Sequence, residues 1–76
     1  MLFKDKLSVT SKYGDLTIKG DYFDHNYGIY KGGELIAQVA KEFFSFTDNY
    51  YIDIYFEDES FVLALVVIID KQKNNN

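Results

Sequence analysis

Seventy-six residues hold one small domain and no more. A chain of this length rarely gains more than about 3–5 kcal/mol from a core of its own. Its net charge is −4, arginine is absent, and eight lysines are scattered among twelve acids. Clustered cations are what neutralise phosphates, so this composition argues against nucleic acids and anionic membrane surfaces as main partners.

Cysteine is absent, which removes disulfides and thiolate metal sites. No apolar stretch follows Met1-Leu2-Phe3-Lys4-Asp5-Lys6 as a signal peptide requires. The chain is expected to be cytoplasmic. Aromatic residues make up 18% of it, seven Tyr and seven Phe. That much ring surface points to a dense core or to an interface, and composition leaves both open.

Phe3, Leu7 and Val9 alternate with polar residues, which suits a half-buried first strand. Ser11-Lys12-Tyr13-Gly14-Asp15 reads as a turn. Leu16, Ile18 and Tyr22 alternate again, with Gly20 marking a bulge or a close approach. Asp24-His25-Asn26 breaks the run, and Tyr27 and Ile29 restart it. Gly32-Gly33, between two apolar runs, is a hairpin turn signal. Leu35 to Ala40 looks buried on both sides. Phe43, Phe44 and Phe46 belong to another short strand or its approach, and they are candidate interface residues. After the turn Thr47-Asp48-Asn49, Tyr50, Ile52, Ile54 and Phe56 give the clearest alternation in the chain.

Phe61 to Ile69 is nine apolar residues in succession. Periodicity leaves helix and strand both open there, and Val66-Val67-Ile68-Ile69 leans toward strand. The flanks lean the other way. Acids and the capping candidates Asp58 and Ser60 precede the run, and Lys71 and Lys73 follow it, the order a helix dipole prefers. A helix over 60–71 measures about 18 Å, too short for a bilayer, which takes about 20 apolar residues. A helix apolar all round must be surrounded. Phe61, Leu63, Leu65, Val66, Ile68 and Ile69 are therefore expected to be buried. Residues 72–76 read as a disordered polar tail beyond a single domain of residues 1–71.

Several stretches, taken in order, resemble the LURP-one-related family. Gly20-Asp21-Tyr22-Phe23-Asp24-His25-Asn26-Tyr27 is similar to its G-D-F-x-D-H-x-Y stretch. Ile36-Ala37 followed by Val39-Ala40-Lys41 resembles its strand ending in lysine, and Phe44-Ser45-Phe46-Thr47-Asp48 with Tyr50 its aromatic turn. Phe61 to Asp70 resembles its C-terminal helix. The resemblance covers nearly the whole chain, most weakly over Met1 to Tyr13. It implies a mainly β fold with one C-terminal apolar helix, a tubby-like half barrel. The family's two halves, of about six strands each, close around the helix. Only the second half is matched. The implied partner is a second copy, as a homodimer, or a chain supplying the missing half barrel, because open sheet edges pair with other strands.

Few constellations here carry chemistry. Asp21, Asp24 and His25 form a polar cluster, but one histidine and two carboxylates from one short loop make a thin ligand set beside an ordinary turn. The acids from Asp48 to Glu59 resemble a segment before the last helix of phospholipid scramblases. As a calcium loop they lack the glycine at position six, which is Asp53, and a cap-and-turn reading serves better. Ser8, Ser11, Ser45 and Ser60 have no adjacent base, and no phosphate loop is present. No catalytic, cofactor or metal role is assigned. The expected function is non-enzymatic binding or assembly. The alternative, implied by the tubby and scramblase resemblance, is peripheral lipid or phosphoinositide binding, with Lys19, Lys31 and Lys41 as available cations.

Overall fold

The computed structural model describes residues 6–44 and 47–74, without the side chains of 23, 41–50, 73 and 74. Five strands form one antiparallel meander in the order β1-β2-β3-β4-β5. They are β1 (Lys6–Ser11), β2 (Gly14–Asp21), β3 (Asn26–Lys31), β4 (Glu34–Phe44) and β5 (Thr47–Ile54). A 3-10 turn, Tyr22–Asp24, joins β2 to β3, and one helix, α1 (Glu59–Asn74), ends the chain. The fold is mainly β with one C-terminal helix, as expected.

About six strands were expected from the half-barrel likeness, and five are found among the described residues. The reason is local. Lys41-Glu42 supplies no Gly, Pro, Asn or Asp, so nothing stops the strand after Ala40, and β4 runs on through Phe44. Phe43 and Phe44 thus belong to β4, with their side chains outside the described set; Phe46 and Phe3 lie outside the described residues altogether.

The glycine turns follow the sequence, whereas Thr47-Asp48-Asn49, read as a turn, instead begins β5 and pairs with Glu42, Phe43 and Phe44. Gly32 and Gly33 have φ of 58° and 84°, the paired positive values that a tight two-residue hairpin demands. Gly20 is the predicted close approach. Its φ is 121°, and a Cβ there would stand 2.6 Å from the Asn26 carbonyl oxygen.

Register aligns the apolar positions on one face. Leu7, Ile18, Ile29, Ala37 and Ile54 form one cross-strand row, and Tyr27, Val39 and Ile52 another. A bulge opposite Ile29 and Tyr30 inserts Ile36 into β4. Its carbonyl accepts the Tyr55 N–H at 2.8 Å, and its side chain joins the core. Leu16, Ile18, Ile29, Val39 and Val62 are fully buried. Such side chains contribute about 1.5–3 kcal/mol each on leaving water, so this face dominates the stability of the domain.

α1 lies across that face. Val62, Leu65, Val66 and Ile69, at i, i+3, i+4 and i+7, are buried against the strands. Phe61 is half-buried. Leu63 and Ile68, expected inside, are 46% and 54% exposed, and Val67 is 55% exposed. A single open sheet covers only one side of a helix, so the far side of an all-apolar run has no wall among the described residues. The helix also continues to Asn74, into the stretch read as a tail from residue 72. Among the described residues, no helix is long and apolar enough to cross a membrane.

Candidate interaction surface

Two side-chain pairs fix the helix at its ends. At the N-terminus Asp58 caps it: Oδ1 accepts the Phe61 N–H at 3.1 Å, and the Asp58 carbonyl accepts the Val62 N–H at 3.3 Å. The other carboxylate oxygen accepts the Tyr13 hydroxyl, with the Lys12 ammonium 3.8 Å away. Tyr13, Phe56 and Phe61 meet edge-on around this cap, Tyr13 lying 5.0 and 4.9 Å from the other two rings. The β1–β2 turn is thereby fastened to the start of α1. The Tyr13 hydrogen bond, then the Phe61 N–H, hold the Asp58 carboxyl below its usual range. The same bond raises the Tyr13 hydroxyl, because ionised tyrosine would face a carboxylate.

At the other end His25 Nε2 lies 2.9 Å from Asp70 Oδ1. His25 follows the 3-10 turn in the left-handed region, with φ 55° and ψ 47°, and is the positive-φ non-glycine residue among those described. The ring reaches the last turns of α1 from there. Asp21 and Asp24 are exposed. Of the three residues foreseen as a polar cluster, His25 meets Asp70, and no group of metal-ligating side chains forms among the described residues. The described part of the acidic segment is divided among separate elements. Asp53 sits in β5, Asp58 serves the cap, and Glu57 and Glu59 are exposed.

Sequence reasoning offered Asp58 and Ser60 as caps, of which Asp58 takes the role, but missed Tyr13 and Asp70. A signal for Asp70 existed: an acid in the last turns of a helix opposes the dipole and therefore wants a specific partner.

Held at both ends, α1 presents Leu63, Ala64, Val67 and Ile68 to solvent, with Ser60 before them and Lys71 after. Beside this stripe, α1 and β1 enclose an open apolar groove. One stretch of about 450 Å³ is lined by Leu7, Val9, Tyr22, Leu65, Ile68 and Ile69, with Ser8 and Gln72 at its margin. A second, about 350 Å³, shares Val9, Leu65 and Ile68 and continues past Ala64 and Phe61 to Lys12. An apolar stripe and an apolar groove side by side suit contact with another molecule. They offer no titratable groups converging on a reacting centre.

The comparisons with curated proteins and with solved structures give no match. A family model described as LURP-one-related matches residues 1–70, and with these strands and this apolar helix on the page, the chain belongs to the LURP-one-related family.

Proposed function

We propose that this chain is a non-enzymatic assembly domain that pairs with a second copy of itself through the outer face of α1. The observation that carries the reading is the exposure of Leu63, Val67 and Ile68 on a helix whose other side is core. Monomeric domains of this size seldom leave such a stripe wet. The stripe is also self-complementary. An antiparallel copy centred between Leu65 and Val66 sets Ser60 against Lys71 of the partner subunit and Ala64 against Val67 of the partner subunit. Small Ser60 and Ala64 permit close approach of the backbones. Glu59 comes near the opposite Lys71, and both residues are exposed in the single chain. In the tubby-like half-barrel reading, the second copy stands where the missing half would.

The lipid-surface alternative has less support. Of the cations named for it, Lys19 already lies over the Tyr30 ring at 5.0 Å.

Sedimentation equilibrium at micromolar concentration tests the proposal. A dimer is expected, and Val67→Glu should weaken it by about 30-fold or more, the effect of losing one well-buried contact. A folded wild-type monomer at those concentrations would end the proposal.

A further inference from the structure

The inner face of the sheet has a second unfinished margin. β1 ends the sheet, and no other described strand pairs with its outer edge. Among the described residues, backbone N–H and C=O groups along that edge therefore lack strand partners. The apolar rows of the inner face stop there on Leu7 and Val9, both half-buried, and both line the groove against α1. The two edges of the sheet differ in charge. β5 carries Asp48 and Asp53, and charges on an edge discourage strand addition. Leu7-Ser8-Val9-Thr10 carries none.

We infer that the β1 edge and its groove together receive an extended segment of a partner protein, with apolar side chains at alternate positions. The pairing of two features selects this occupant. A hydrocarbon chain would fill the groove and leave the strand edge unpaired. A helix could shield the groove and would leave the edge unpaired too. A strand satisfies the edge with its backbone and sends every second side chain down between β1 and α1. Lys6 begins β1 and is exposed, so an acidic residue at that end of the segment completes the fit. This site adjoins the self-association face: Leu63 and Val67 line neither stretch of the groove, while Ala64 and Ile68 belong to groove and stripe alike.

The test uses the full chain carrying Val67→Glu, titrated with a synthetic peptide that alternates valine and threonine between terminal glutamates. Amide hydrogen exchange reads the result. Saturable binding with new protection over Lys6–Ser11 is expected. Adding Val9→Glu, or the more exposed Ile68→Glu, should weaken binding at least about tenfold while the melting transition stays cooperative. Three results would overturn the inference: no saturation, protection appearing on β5 instead of β1, or equal binding by a peptide of the same composition with its valines in one block. Saturation by laurate but not by the peptide would overturn it as well, in favour of a hydrocarbon ligand. The readout sits on β1 amides, whereas self-association is read by mass, so failure of one is distinguishable from failure of the other.

Discussion

The Tyr13 hydroxyl donates to the Asp58 carboxylate across 45 residues of sequence, so one oxygen pair joins the first hairpin to the start of the only described helix. The contact titrates at both extremes of pH. Asp58 has a lowered folded-state value relative to an ordinary 3.8. Its contribution is present above that ordinary value and is lost as pH falls through the folded one. Tyr13 is raised above 10.0. Its contribution is full below 10.0 and is lost as pH rises through the folded value. The contact therefore supports the fold across the neutral range and fails in acid and in strong alkali. Tyr13→Phe is expected to lower the melting midpoint by a few degrees at pH 7 and to flatten both limbs of the stability–pH curve. Thermal melts from pH 2.5 to 11 check this; unchanged limbs would refute it.

The His25–Asp70 pair is expected to hold the C-terminal turns of α1. Asn tolerates the left-handed backbone at position 25, so His25→Asn removes the ring with little added strain. A double-mutant cycle with Asp70→Ala should give a coupling of about 0.5–1.5 kcal/mol, the net worth of one hydrogen bond. Either single change should speed amide exchange over residues 68–72. Additive effects would mean that the contact adds nothing to stability.

Gly20 has no substitute that keeps the present backbone. Alanine there incurs positive-φ strain of about 1–2 kcal/mol and also drives a methyl into the Asn26 carbonyl. Gly20→Ala should cost about 2 kcal/mol or more, read as a fall in the urea midpoint at constant slope. A loss well below 1 kcal/mol would show that β2 and β3 separate easily at this point.

Much of this architecture was legible from residues alone, for reasons that are local. Alternation such as Tyr50-Ile52-Ile54 reports a strand with one wet face, and Gly32-Gly33 reports the backbone that its turn requires. The flanking charges of α1 pointed to helix where Val66-Val67-Ile68-Ile69 leaned toward strand. The apolar run itself hid which side of the helix faces out, because no polar residue between Phe61 and Ile69 marks it. The surplus strand came from reading the aromatics after Lys41-Glu42 as a new element, although no turn residue divides them from β4. Tyr13 and Asp58, like His25 and Asp70, meet only after the sheet has brought the β1–β2 turn and the β2–β3 connection beneath opposite ends of α1. No local pattern encodes a meeting of that kind.

The position of α1 also carries a consequence for biosynthesis. The sixteen residues that cover the sheet's greasy side are made after all five strands. Until the ribosome has released them, five strands' worth of apolar rows have no lid, and a message cut short after Ile54 yields a sheet with nothing to shield it. Chains cut short before α1 are therefore expected to precipitate rather than fold.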